Sequence, residues 1–246
     1  LTVPWVLYVV SVGGDFLDLY RFFVPVLPLA ALALAAAWHR AFVAARARRG
    51  RYAGLALAAI AALALLAYGA GQRDLRARAL EVSEPGRAAR GIEPLGWTRS
   101  YALRWAAMGR FIGGLARPGD WMAVGAAGAM PFYAGIDNLD TLGLCDAWVA
   151  HHAPVVGDRP GHQRFAPLPY ILARRPVFLL IGNDYTSDRP LPLRRDPVWR
   201  ARGYVWARAH VTTALGAPEP FFHYFLLRRD RAAAWRGRPG LAVAGD

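Results

Sequence analysis

Two apolar runs near the start, Phe22–Trp38 and Ala53–Ala70, constrain this 246-residue chain more than any other feature. Each is about long enough to cross a hydrocarbon core of roughly 30 Å as a helix. A helix on the surface of a soluble core needs a polar stripe, and Leu55–Leu66 has none. Both runs therefore read as membrane helices. Leu1–Val10 is a third apolar stretch, too short to span, and is expected to be a truncated helix of about residues 1–12. Since Leu1 is not an initiator Met and no signal peptide is legible, we expect the C-terminal piece of a longer multi-span protein.

Sidedness follows from charge. Between the two long runs lie His39, Arg40, Arg46, Arg48, Arg49 and Arg51. Short basic connections stay in the cytoplasm, so Phe22–Trp38 is expected to run inward and Ala53–Ala70 outward. The loop around Gly13–Arg21 and everything after Gly71 then face the extracytoplasmic side of a multi-pass protein of the cytoplasmic membrane.

The formal net charge of +13 raises the question of nucleic acid. All 30 basic residues are Arg, however, and they are scattered through an Ala-, Gly- and Pro-rich chain without a nucleic-acid-binding motif. No nucleic-acid partner is expected. The lipid bilayer, acidic lipid head groups and sugar phosphates suit that charge better. Cys145 is the only cysteine, which excludes an intrachain disulfide and a Cys-based zinc site within this sequence.

From residue 72 to 246 the composition is that of a soluble domain, expected to be a small extracytoplasmic α/β (mixed α+β) domain following a membrane α-helical segment over 1–71. Asp74–Arg90 is expected to leave the membrane as a helix ending near Pro85-Gly86. Tyr101, Trp105, Met108, Ile112 and Leu115 recur at helical spacing. Pro118-Gly119-Asp120 is a turn, and Trp121–Gly125, Leu139–Leu144 and Val177–Ile181 are expected strands of a parallel sheet. Ala126–Phe132 reads as a loop or brief helix and Ala153–Pro169 as a long loop. Tyr204–Val211 and Phe221–Leu227 are expected strands separated by Pro218 and Pro220.

Candidate chemistry concentrates first in Val12–Arg21, where Asp15, Asp18 and Arg21 adjoin Gly13-Gly14 at the membrane edge. Ionised groups beside hydrocarbon usually pair or face a polar cavity. Asp15 could equally cap a helix, and Asp18 and Arg21 could form a plain ion pair. In the later domain Asp140 and Asp146 flank Thr141–Cys145 at the end of an expected strand, the edge where open α/β sheets place ligand groups. Buried carboxylates there can also simply hold loops. His151, His152 and His162, with nearby carboxylates, lack the spacing of a metal site, so no cofactor is expected and a divalent metal has no support. Gly125-Ala126-Ala127-Gly128 lacks the full dinucleotide fingerprint and reads as a packing turn.

The segment Tyr8-Val9-Val10-Ser11-Val12-Gly13-Gly14-Asp15-Phe16, followed by Arg21 and a Pro-bearing apolar helix, resembles the late membrane part of the GT-C glycosyltransferases related to terminal arabinofuranosyltransferases. Gly125–Tyr133, Leu139–Asp146 and Pro160-Gly161-His162 are similar to the extracytoplasmic domain that ends those enzymes. The resemblance implies a membrane enzyme taking a sugar from a polyprenyl-phosphate donor to a cell-envelope glycan or glycolipid acceptor. It implies Asp15 as an auxiliary acid–base or substrate-orienting residue, Arg21 as a donor-phosphate contact, and Asp18, Tyr133, Asp140, Asp146 and His162 as substrate contacts. The family's catalytic acidic loop lies early in such proteins, outside this sequence. Leu17-Asp18-Leu19-Tyr20 departs from the family's Met-x-x-x-Arg continuation and leaves the sugar open. The competing reading is a non-catalytic, membrane-anchored module that binds glycan or a partner.

Overall fold

A computed structural model describes residues 2–11, 21–80, 95–125, 127–157, 162–180 and 186–245. The chain divides into two compact units, Leu1–Thr98 and Arg99–Asp246. The helical run of the first unit continues past Gly71, through Gln72 to Leu80.

In the first unit, α1 (Thr2–Ser11) is tied to the next segment by a hydrogen bond from Trp5 Nε1 to the Phe22 carbonyl, 2.6 Å. A single 3-10 turn, Arg21–Phe23, precedes α2 (Leu27–Leu80), which starts later than Phe22 because neither Pro25 nor Pro28 has an N–H to give. The Arg-rich connection is helical almost throughout rather than a loop, its one non-helical residue being Gly50 (φ 76°, ψ −175°). Only glycine takes that backbone conformation without strain. Buried Gly54 lies against Phe42 and Arg46, its Cβ position 3.4 and 3.6 Å from their side chains. A straight helix would separate Gly54 from those residues by about 18 and 12 Å along its axis, so the chain doubles back at Gly50. Arg46, Arg48, Arg49 and Arg51 crowd the turn of the resulting hairpin. By length and composition the helical run Leu27–Ala77 contains a window apolar enough to cross a membrane, and that window is almost wholly exposed.

The second unit takes over within α3 (Leu95–Gly113) and continues through β1 (Trp121–Val124), α4 (Ala129–Ala134), β2 (Asp137–Asp140), α5 (Ala147–His152), α6 (Leu168–Ala173), β3 (Phe178–Leu180) and β4 (Thr186–Ser187). It closes with α7 (Pro197–Ala201), β5 (Tyr204–Val211), β6 (Phe221–Arg228), α8 (Arg229–Trp235) and β7 (Leu241–Val243). The seven strands form one sheet in the order β2-β1-β3-β6-β5-β7, with β4 paired to β6. Only β2-β1-β3 is parallel, whereas β6, β5 and β7 join antiparallel. The domain is a mixed α/β fold, and the expected parallel sheet describes just its first half.

Each sheet face carries a core. On one side Trp105, Met108 and Ile112 of α3, Met130 of α4 and Trp235 of α8 pack on Phe178, Phe225 and Leu227. On the other, Val149 of α5 and Ile171 of α6 pack on Leu139, Leu179, Trp206 and Leu226. The helical spacing read from Tyr101 to Leu115 thus marks the buried side of α3. Gly109 is demanded by a close crossing: a Cβ there would sit 2.4 Å from the Met130 carbonyl oxygen of α4.

Two expected elements are corrected. Leu139–Leu144 is not a strand, because pairing ends at Asp140 and the chain turns sharply at Gly143 (φ 80°). Ala153–Pro169 is not wholly loop: Val155 and Arg164 form an isolated antiparallel bridge, and α6 starts at Leu168 with Pro169 in its first turn, where proline is tolerated.

Candidate functional site

Parallel pairing of Val124 with Asp140 brings the carboxyl ends of β1 and β2 to one edge. There Thr141 N donates to the Val124 carbonyl (3.0 Å), and the chain must then leave the sheet. Asp140, 1% exposed, makes that exit possible: its carboxylate accepts the N–H groups of Leu142 (2.9 Å) and Cys145 (2.6 Å). The turn closes against α5 so tightly that a Cβ on Gly143 would fall 2.7 Å from Ala150 N.

At the far side of this turn Asp146 caps α5, accepting from Val149 N at 3.1 Å. The same carboxylate accepts the hydroxyl of Tyr170 on α6, 3.1 Å from Oδ2. Tyr170 stacks on Trp148, ring centroids 4.2 Å apart and 13° between planes. Arg174, one helical turn on, donates to the Tyr170 oxygen (2.8 Å) and lies over the Tyr170 and Trp121 rings at 5.1 and 5.5 Å. Trp148 nevertheless remains 41% exposed. The result is a ledge of stacked aromatic rings bordered by a carboxylate and a guanidinium.

The residues singled out from sequence separate into three places. Asp15 and Asp18 lie outside the described residues, and Arg21 belongs to the first unit, its guanidinium 5.4 Å from the Phe22 ring centre. Asp140, Asp146 and the half-buried His162 share one region, since Ala166 N donates to Thr141 O (2.8 Å) and so pins the His162 segment to the Asp140 turn. Tyr133 is elsewhere. It sits on α4, facing α3 across the opposite side of the sheet, under the guanidinium of Arg110 at 4.2 Å. Both carboxylates of the turn are engaged in holding backbone, the loop-holding alternative of the two readings. Among the described residues, no three His, Cys, Asp or Glu side chains gather as metal ligands.

The ledge itself was missed in the sequence. Tyr170 and Arg174 stand at the i, i+4 spacing of helix neighbours, but Pro167 and Pro169 gave their segment the appearance of a loop. Trp148 and His152 have the same spacing on α5, with ring centroids 5.9 Å apart.

Of the groups with altered ionisation, all away from the ledge, Tyr204 and His223 owe theirs to burial. Burial pushes the Tyr204 phenol up to about 12, and its hydroxyl donates to the Pro176 carbonyl at 2.8 Å. Burial alone depresses His223 to about 3, so its imidazole is neutral at any ordinary pH.

Fold and site together define an α/β domain with a seven-stranded mixed sheet, in a chain whose second helix is, by length and composition, apolar and long enough to cross a membrane. The chain belongs to the family described as Domain of unknown function (DUF8728), whose model matches residues 95–230, more than half of the sequence. The matched span runs from α3 into α8 and contains the whole ledge. No curated protein and no solved structure matches the chain.

Proposed function

We propose that this chain serves a membrane glycosyltransferase of the GT-C type, which moves a sugar from a polyprenyl-phosphate donor to a cell-envelope glycan or glycolipid outside the cytoplasmic membrane. The observation that carries the proposal is the Trp148–Tyr170 stack bounded by Asp146 and Arg174. Exposed indole offers an apolar face to the C–H face of a pyranose or furanose ring. Asp146 retains acceptor positions beyond those used by Val149 N and Tyr170, and Arg174 adds donors, so hydroxyls at the ring edge find partners of both kinds. The Arg-dense turn at Gly50 supports a cytoplasmic hairpin tip, which would set the α/β domain outside.

In this reading Asp15 orients or deprotonates an acceptor hydroxyl, while Arg21 meets the donor phosphate, whose departing charge a guanidinium stabilises. Asp18 shares that layer. The ledge, with His162 in the adjoining segment, holds the acceptor; Tyr133, on the other face, is left without a part in it. Because Asp140 is spent on holding backbone and Asp146 is already capping α5 and holding Tyr170, with acceptor positions left for a ligand hydroxyl, the α/β domain by itself fits binding better than chemistry. That is also the one observation favouring a non-catalytic glycan-binding module.

Membranes carrying the full-length protein, supplied with labelled polyprenyl-phosphate sugars and envelope glycan, discriminate the two. The enzyme reading expects label in the glycan and a loss of at least tenfold with Asp15→Asn. Glycan retained by the protein with no transfer from any polyprenyl-linked sugar would overturn it in favour of the binding module.

A further inference from the structure

Three arginine-bearing turns meet at one end of the second unit. Arg175 ends the α6 segment, Arg202 ends α7, and Arg228-Arg229 joins β6 to α8. They border an open cleft of about 280 Å³ that Gly203 and Tyr204 also line. Four guanidinium-bearing residues and a single carboxylate, Asp230, line it.

These turns are fastened to one another. Arg228 donates through Nη1 to the Arg175 carbonyl (2.6 Å) and through Nε to Asp230 (2.7 Å), while Arg228 N bonds Val177 O at 3.0 Å. Arg229 N donates to Gly203 O at 2.8 Å. Arg202 is set over the Trp199 ring at 5.2 Å. Arg175, at φ 48°, is the one non-glycine residue with positive φ among those described. A bulky side chain in that region costs energy and persists only where the surroundings impose it, a pattern that concentrates at ligand sites. Gathering like charges around one concavity is likewise unfavourable until an anion enters.

We propose that this cleft is a phosphate-binding subsite. Planar guanidiniums held in place match phosphate oxygens two at a time, and the one carboxylate is already occupied by Arg228. The phosphate comes from a soluble phosphate ester or from a lipid head group. This inference does not depend on the sugar-transfer reading, since it concerns anion binding alone.

The test uses the full chain in nanodiscs, with inorganic phosphate titrated at constant ionic strength and binding followed by calorimetry. In phosphatidylcholine discs, Arg202→Gln and Arg175→Gln are each expected to weaken phosphate binding at least tenfold. Arg202→Gln leaves every contact that fastens Arg228 intact, so its effect is separable from misfolding. Arg189→Gln, an exposed site beside β4, carries the same charge change and is expected to bind like the unaltered chain. Discs containing phosphatidic acid then identify the source: abolished phosphate binding assigns a lipid head group, and undiminished binding assigns a soluble ester. Equal phosphate affinity in Arg202→Gln, Arg189→Gln and the unaltered chain, or no binding at millimolar phosphate, would overturn the proposal.

Discussion

His223 of β6 meets Trp105 of α3 edge to face, ring centroids 5.3 Å apart and 71° between planes. Both imidazole nitrogens and the indole nitrogen are buried without a hydrogen-bond partner. An imidazole in such a place can be tolerated neutral but not charged.

The pH dependence of stability follows. His223 takes a proton near its ordinary pKa when unfolded but only at about 3 when folded. Between those values the unfolded chain binds the extra proton, so stability is complete above about pH 6.5 and falls as pH drops, by about 1.4 kcal/mol per pH unit from this group. Unfolding midpoints measured from pH 7.5 to 4.5 are expected to show that slope, reduced in His223→Leu. An identical slope in the variant would assign the acid sensitivity to other groups.

Trp148→Ala removes the exposed half of the aromatic stack while leaving the Asp146 cap and its bond to Tyr170 in place. Acceptor KM is expected to rise about tenfold, equivalent to about 1.4 kcal/mol, with kcat nearly unchanged. Steady-state transfer against acceptor concentration reads both. A fall in kcat alone would show that Trp148 acts in chemistry rather than in holding the glycan.

Gly109→Ala places a methyl where the Met130 carbonyl of α4 already stands. Since backbone rather than a flexible side-chain end must give way, overpacking is expected to cost about 1–3 kcal/mol. Denaturant unfolding measures it. Gly119→Ala is unsuitable as a control because of its φ of 82°, whereas Gly128, which meets nothing within 4 Å, provides one.

How much of this was legible depended on whether the signal was local. The face of α3 from Tyr101 to Leu115 and the apolar runs Val177–Ile181, Tyr204–Val211 and Phe221–Leu227, which contain most of β3, β5 and β6, announce themselves through period and apolar content, because burial acts on each element separately. The exit at Asp140 did not, since Leu142 and Leu144 continue an apolar pattern that only the capture of two N–H groups by Asp140 interrupts. Short helices α5, α6, α7 and α8 span five to seven residues each, too few for a period to be read. The arginine cleft was hidden for a different reason: Arg175, Arg202 and Arg228 are widely spaced in sequence and are assembled only by the fold, so in the sequence they are scattered Arg without a motif. Asp140 and Asp146 were found as a pair, but their occupation by backbone donors is a tertiary fact.

The proposed function requires the α/β domain to face outward from the cytoplasmic membrane, the side proposed for the acceptor. Cys145 is exposed and is the only cysteine in this sequence, so it reports sidedness without an engineered probe. Intact cells treated with a membrane-impermeant maleimide are expected to label it, read as the part of the protein's label that Cys145→Ser removes. Labelling of Cys145 only after the cells are broken open would place the domain in the cytoplasm and contradict the account.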